Sequence, residues 1–377
     1  MEFGFTEEQA ELQELVRELV QTEIVPYAAE MDKTGILQEG LLEKMADMGL
    51  LSVAIPEEYD GLGLDAVTIA SLYEELGKGC AGVATTVAAN ALASYPVVLA
   101  GTEEQKQKYF SVINEGKLAA FALTEPGAGS DAGSVATSAQ KVEGGYILNG
   151  TKCFITNGGI ADIFVIFANT KKSAGIRGLT AFIVEKGTPG FTVGKMEHKM
   201  GIRASNTCEL VFTDCFVPEE NRLGREGRGF RIAMNTLDAA RPFVGAVSVG
   251  IAAAAYEAAC KYSKERKQFG QPIASFQMVQ AMIADMAMKV EAARLLVYRA
   301  CWMKDQGMEF SREAAIAKCF ASDTAMEVTT NAVQVLGGYG YSQEYPVEKY
   351  MRDAKIMQIY EGTNQIQRLV IANKTLY

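Results

Sequence analysis

The spacing of apolar residues changes twice along this chain, and that change constrains its fold more than any other feature. Up to about residue 116 the spacing is helical. One apolar helix face, for example, follows the capping-box sequence of residues 6–9. From about residue 116 to about residue 224, short β-rich runs alternate with turn sequences such as Asn149-Gly150. The helical spacing then returns at about residue 230 and continues to the end of the chain.

Helices, then strands, then helices form an order that differs from the strand–helix alternation of a parallel sheet. The sequence therefore predicts an α+β multidomain protein with a middle antiparallel β domain, built as a sandwich or a barrel. The predicted domains are a helical one over residues 1–117, the β domain over 118–225 and a second helical one over 226–377. A length of 377 residues allows two or three domains of ordinary size.

The ionisable residues exclude several classes of function. His198 is the only histidine, so multi-histidine metal sites are impossible and we predict no metal. A Ser-His-Asp triad could use only that residue, whose neighbours form no motif. A net charge of −10 argues against general affinity for nucleic acid or anionic membranes.

The cysteines and the apolar runs predict a cytoplasmic protein without membrane insertion. Seven cysteines occur without any CxxC pair, which is typical of reduced thiols. The first four residues (MEFG) lack the basic start and apolar run of a signal peptide. The longest apolar run, residues 243–256, is too short to span a bilayer and favours a buried helix.

Four segments carry residues suited to binding or catalysis, although each has an ordinary structural explanation. Residues 124–131 (TEPGAGSD) form a glycine-rich loop that could hold phosphate or flavin oxygens, or could simply be a hairpin loop. Residues 265–270 (ERKQFG) place cations at a helix end, and residues 334–340 (QVLGGYG) end another helix with glycines. Residues 359–365 (IYEGTNQ) put a carboxylate in an apolar turn, although most glutamates are solvated.

Taken together and in order, these segments resemble the acyl-CoA dehydrogenase family, and the resemblance covers the whole chain. The matching motifs are FTEEQ (5–9), ALTEPGAGSD (122–131), RKQFG (266–270), RDAK (352–355), YEGT (360–363) and IQR (366–368). Among family members, the chain is most similar to bacterial short-chain, butyryl-type enzymes. The resemblance implies a C-terminal four-helix bundle and FAD bound between the middle and C-terminal domains.

The resemblance also implies a role for individual residues. The base that removes the α-proton of the acyl-CoA would be Glu361, and Ala240 stands where some relatives carry that base instead. Flavin contacts would come from Phe121, Leu123, Thr124, Gly129, Ser130, Phe154 and Thr156, and further FAD contacts from Thr363 and Gln365. Contacts to the FAD of a neighbouring subunit would come from Arg266, Phe269, Gln277, Gln334, Gly337 and Gly338. Contacts to the acyl-CoA would come from Ser130, Asp238, Arg241, Tyr360 and Gly362.

The resemblance implies an oligomeric state and an electron acceptor as well. It implies a homo-oligomer, usually a tetramer, and reoxidation by electron-transferring flavoprotein. Phe154 stands where the family usually has a tryptophan over the flavin, so stacking and redox tuning can differ. Three alternatives stay open: an enoyl-CoA reductase using the same site, an acyl-CoA oxidase, and a flavin-binding homologue without activity. Oxidases are usually much longer than this chain.

Overall fold

A computed structural model describes residues 4–377, and its first third is helical as the spacing predicts. The capping box forms at the start: the Thr6 hydroxyl accepts from the Gln9 backbone N–H, and the Gln9 side chain accepts from the Thr6 backbone N–H. The helices are α1 (Glu7–Leu19), α2 (Ala28–Thr34), α3 (Leu41–Asp47), α4 (Ala66–Gly79), α5 (Ala81–Ala100) and α6 (Glu103–Asn114).

The middle of the chain forms one eight-stranded sheet. Its strands are β1 (Ala119–Ala122), β2 (Ser138–Val142), β3 (Gly145–Thr156), β4 (Ile163–Asn169), β5 (Leu179–Glu185), β6 (Phe191–Met196), β7 (Thr207–Pro218) and β8 (Arg222–Leu223). Most neighbours are antiparallel, in the order β6-β7-β3-β2-β4-β5-β8. Strand β1 pairs with β4 in parallel, since it enters from α6 and no hairpin joins the two. Strand β2 also pairs with β4 in parallel, through Ser138 and Asn169. The predicted α+β fold is confirmed, with these two parallel pairings in the sheet.

The last third is helical again, apart from the two-residue strands β9 (Lys267–Gln268) and β10 (Gln271–Pro272). Its helices are α7 (Gly229–Glu265), α8 (Gln277–Asp305), α9 (Ser311–Leu336), α10 (Val347–Met357) and α11 (Asn364–Leu376). Helix α7 is central, because it packs against α8, α9 and α10 and also against α4 and α5 from the first third. The first and last predicted domains therefore share one helical core. The predicted domain boundaries stay a prediction.

Two helices, Ala81–Ala100 and Gly229–Glu265, are long and apolar enough to cross a membrane. Of their most apolar windows, 72% and 78% respectively are buried inside the protein. The run over residues 243–256, predicted to be a buried helix, lies inside the second of these. Burial of this kind is what core helices show, and length and composition alone are weak evidence for a membrane span.

The RDAK motif lies at a junction of all three parts of the chain. Arg352 pairs with Asp32 of α2 at 2.7 Å and donates to the carbonyl oxygen of Met200 beyond β6. Asp353 accepts from Lys349 at 2.6 Å and from the backbone N–H of Ile202. Burying such charges is favourable only when they are paired, so the motif fixes α2, the loop after β6 and α10 against one another.

Helices α4 and α7 approach closely because glycine lies at their contact. A β-carbon at Gly250 would lie 2.2 Å from the Glu74 carbonyl oxygen. We therefore expect Gly250→Ala to lower the free energy of unfolding by about 2 kcal/mol or more, since overpacking exceeds the gain in helix propensity. Urea unfolding measures the effect. The matched control is Gly127→Ala, where a β-carbon meets nothing within 4 Å. Equal stabilities of the two variants would contradict this account of the contact.

Candidate active site

A cavity of about 210 Å³ lies where α5, β1, β3, α7 and the turn before α11 meet. Many of the residues singled out in the sequence line it together: Phe121, Leu123, Thr124, Gly129, Ser130, Phe154, Thr156, Arg241, Tyr360, Glu361 and Gly362. Segments far apart in the sequence thus contribute to one enclosure. The remaining lining is largely apolar and includes Ala88, Leu92, Leu237, Val244 and Val247.

The carboxylate of Glu361 faces this cavity from a strained turn. Glu361 has a φ of 53° and Gly362 a φ of 89°, so two successive residues occupy the left-handed region. The residue is half-buried, but its Oε2 is fully buried and has no hydrogen-bond partner within the described chain. Burial raises the pKa of Glu361 to about 7, against the opposing positive charges of Lys318 and Arg241. A carboxylate in this state can accept and release a proton near neutral pH.

Helix α9 anchors the Glu361 turn through buried polar contacts. The Lys318 ammonium donates to the Gly362 carbonyl oxygen and to the Asn364 side-chain oxygen, at 2.9 Å each. Asn364 in turn donates to Asp323 at 2.7 Å. From α11, the Gln367 side chain donates to the carbonyl oxygens of Glu361 and Gly362. The strained backbone is thus held on both sides.

The glycine-rich loop is fixed from below by a buried ion pair. Lys152 of β3 contacts Glu125 at 2.7 Å, and both side chains are almost completely buried. The Glu125 carboxylate also accepts backbone N–H bonds from Ala136 and Thr137. Burial opposes its ionisation, but the Lys152 charge and these bonds hold the pKa of Glu125 below its ordinary value. These contacts hold one part of the loop in the interior, while Gly129 and Ser130 stay exposed and line the cavity.

A bulge in β3 turns Phe154 outwards. The register between β3 and β7 shifts between Lys152 and Ile155, and Phe154 has a φ of 57°. Its ring lines the cavity while remaining 64% exposed. An exposed aromatic face beside a cavity is suited to stack on a planar ring.

Two further polar groups in the cavity wall lack complete partners within the described chain. Arg241 is buried and pairs with Asp238, but its Nε has no hydrogen-bond partner. The Thr85 hydroxyl is buried without one. Asp238 itself does not line the cavity. Buried groups of this kind usually indicate a ligand or water that completes the bonding.

The other predicted residues lie outside this cavity. Arg266, Gly337 and Gly338 line a separate open groove of about 640 Å³, with the Arg266 guanidinium over the Tyr339 ring. The side chains of Phe269, Gln277, Gln334 and Gln365 are exposed. The Thr363 hydroxyl caps α11 by accepting from the Ile366 backbone N–H. Their cofactor roles stay predictions.

The cavity and its wall fit a flavin cofactor in their chemistry. The cavity is surrounded by a planar aromatic face, by two buried polar atoms without hydrogen-bond partners, and by the hydroxyls of Thr124, Ser130 and Thr156. Around Gly129, a β-carbon would meet nothing within 4 Å, so a ligand can approach the loop backbone closely. The groove beside Arg266 adds a cation suited to a pyrophosphate.

Comparison with known proteins identifies the family. Models of the acyl-CoA dehydrogenase N-terminal, middle and C-terminal domains match residues 6–117, 120–215 and 227–376. The chain belongs to the acyl-CoA dehydrogenase family. The chain is accordingly an acyl-CoA dehydrogenase family oxidoreductase, and the resemblance drawn from its motifs is confirmed.

Three individual relatives show how close the likeness is. The structure of butyryl-CoA dehydrogenase from Megasphaera elsdenii is 49% identical, with a TM-score of 0.98 and all of both chains covered. A chain in a structure of the electron transferring flavoprotein of Acidaminococcus fermentans, a study of flavin-based electron bifurcation, is 52% identical, with the same TM-score and coverage. An acryloyl-CoA reductase (NADH) of Anaerotignum propionicum is 47% identical, and the match covers 100% of this chain and 96% of the reductase.

Sequence reasoning missed two residues that the structure places at the site. Lys318 lies within a helical pattern and Thr85 within an apolar one, so neither stands out by spacing. Lys318 offered one signal, since a lysine among alanines at a core position of a helix requires a partner.

The raised pKa of Glu361 carries a stability consequence that can be measured. A carboxyl group with a pKa higher in the folded state than in the unfolded state stabilises the fold below its unfolded pKa, and this contribution is lost as the pH rises through about 7. Glutamine stays neutral at every pH. The free energy of unfolding of Glu361→Gln should therefore rise relative to that of the wild type between pH 5 and pH 8, by up to about 3 kcal/mol. Thermal unfolding of both proteins at several pH values checks this. A pH-independent difference would contradict burial of the charge.

Proposed function

We propose that this enzyme is FAD-dependent and oxidises a short-chain acyl-CoA to the trans-2-enoyl-CoA, with Glu361 as the catalytic base. The observation that carries the proposal is the buried Glu361 carboxylate, whose Oε2 has no partner in the described chain and which faces a largely apolar cavity. An α-proton beside a thioester is weakly acidic. Its removal therefore requires a base held in position and kept from water.

The residues of the cavity supply what this reaction needs. A base is most effective when its pKa lies near the working pH, and Glu361 with a pKa of about 7 meets that condition. Arg241 and Lys318 place positive charge near the reacting carboxylate. By family likeness, the Glu361 backbone N–H would stabilise the developing enolate oxygen. FAD would supply the acceptor for the β-hydride when bound, and Phe154 would stack beside its ring.

The size of the cavity and one relative favour a short acyl chain. The cavity of about 210 Å³ is narrowed by four large side chains, those of Leu92, Leu237, Val247 and Tyr360. The Megasphaera elsdenii relative is a butyryl-CoA dehydrogenase. We therefore propose straight acyl chains of about four carbons as the substrates, because a longer chain would collide with the lining of a small pocket.

The acceptor and the assembly are inferred from relatives and from surface residues. The Acidaminococcus fermentans structure supports electron-transferring flavoprotein as the acceptor. Exposed Phe269, Gln277 and Gln334, together with the groove beside Arg266, would serve the FAD of a neighbouring subunit in a tetramer. All seven cysteines are free, which supports a reducing, cytoplasmic location.

The same site working in the opposite direction is the second candidate. The relative from Anaerotignum propionicum is an acryloyl-CoA reductase, which reduces rather than oxidises. The two candidates are separated by two rates: that of butyryl-CoA oxidation with oxidised electron-transferring flavoprotein as acceptor, and that of crotonyl-CoA reduction with the reduced flavoprotein as donor. Rapid oxygen consumption would instead favour an oxidase, and absence of flavin bleaching by any acyl-CoA would favour an inactive homologue.

The catalytic assignment predicts a specific loss in Glu361→Gln. The amide is nearly isosteric but cannot accept a proton at neutral pH, so the rate of flavin bleaching by butyryl-CoA should fall by at least about 10²- to 10⁴-fold. FAD content and the affinity for crotonyl-CoA should stay near wild type, because neither depends on proton transfer.

A matched gain-of-function variant tests the geometry. Ala240 lies on α7 one residue before Arg241, where some relatives carry the base. Installing glutamate at Ala240 in the Glu361→Gln protein should restore part of the bleaching rate. A Glu361→Gln protein that reacts at nearly the wild-type rate would refute the assignment.

Chain-length preference gives an independent test of the cavity. The value of kcat/KM over straight acyl-CoAs of about four to sixteen carbons should be highest at the short end, since longer chains meet the bulky lining. Leu237→Ala should move the maximum towards longer chains by removing part of that lining. A wild-type maximum at about twelve carbons or beyond would be incompatible with the proposal.

A further inference from the structure

Lys318 is a buried cation whose hydrogen bonds go to neutral groups. Its side chain is completely buried on α9, yet both its acceptors are amide oxygens, those of Gly362 and Asn364. A buried ammonium is costly unless it is compensated. The other buried lysines differ, since Lys152 and Lys349 each contact a carboxylate at 2.6–2.7 Å.

The carboxylate that interacts most strongly with the Lys318 charge lies on the turn that Lys318 binds. The largest attractive charge interaction of Lys318 is with Glu361, and that with Asp323 is smaller. Burial lowers the pKa of Lys318 to about 8, which leaves it protonated at neutral pH. The other groups facing Glu361 are Arg241 from α7 and the Tyr73 hydroxyl from α4, with Tyr360 beside it on the turn. Arg241 already has Asp238 as a partner, whereas Lys318 has none as close.

We propose that Lys318 is a positioning residue for the catalytic base: its ammonium fixes the left-handed turn at Glu361 and Gly362, and its charge favours the ionised carboxylate. The proposal rests on the proposed role of Glu361. The hydrogen bond to the Gly362 carbonyl holds the backbone of the residue next to the base. Strained backbone persists only where its surroundings fix it, and Lys318 is the charged group doing so from α9.

Two substitutions separate the charge from the hydrogen bonds. Lys318→Met removes both, whereas Lys318→Gln removes the charge and keeps a donor for the two oxygens. Lys349→Met is the matched control, because it removes another buried lysine, on α10, that contacts neither the cavity nor the Glu361 turn.

The first measurement uses the FAD-loaded enzyme and the rate of flavin bleaching by butyryl-CoA from about pH 5.5 to about pH 9. Loss of a nearby cation should move the acidic limb of the profile up by about one pH unit in both Lys318 variants. Above that limb, Lys318→Met should also be slower by at least about tenfold, and Lys318→Gln by less, because displacement of a catalytic group is costly. Crotonyl-CoA affinity should remain within about threefold of wild type.

The second measurement needs no substrate. The difference in thermal stability between a protein and its Glu361→Gln derivative, followed against pH, reports the pKa of Glu361. The pH at the midpoint of this change should be higher in the Lys318→Gln background than in the wild type, and should be unchanged in the Lys349→Met background. An unmoved midpoint, or an equal rise in the Lys349→Met control, would overturn the role of Lys318. Wild-type enzyme that butyryl-CoA fails to bleach would instead refute the proposed function, and this stability test would still decide the inference.

Discussion

Desolvation of ionisable groups is the constraint on which the rest of this structure depends. A carboxylate can serve as a base for a weakly acidic proton only if water is kept away, and withdrawing it from water costs free energy. The fold meets that cost with a network of partly compensated charges around Glu361: Lys318 on α9, Arg241 on α7 and the Asp323–Asn364 contact below the turn. The proposed base, with a pKa of about 7, can therefore exist in either protonation state near neutral pH.

Part of the strained backbone of this chain lies where ligands would bind. Glu361, Gly362 and Phe154 all have positive φ values and line the same cavity. Each strained segment rests on buried polar contacts, the turn on Lys318 and the strand next to Phe154 on the Lys152–Glu125 pair. Rigid support beneath an unfavourable conformation keeps a side chain pointed into open space, where it is available to a ligand.

The sequence predicted the order of helices and strands, because helical and strand periodicities are local properties. Motifs, rather than periodicity, singled out residues 124–131 and 359–365, which meet at the cavity. Motif likeness supplied Glu361, which composition alone would have left among many solvated glutamates. Two features could not be predicted. The parallel pairing of β1 with β4 depends on where α6 delivers the chain, and the contacts of Lys318 join residues 44 positions apart. Such contacts arise from tertiary packing, which leaves no trace in local spacing.

The junction around Arg352 and Asp353 has a consequence for the history of this chain. Arg352 pairs with Asp32 from the first third, and Asp353 binds the backbone of Ile202 from the middle third. A fragment containing only one of these thirds would expose unpaired charges and backbone groups that the whole chain buries. The three parts are therefore not exchangeable modules. Recombination that replaced one of them would have to preserve the partner residues in the other two.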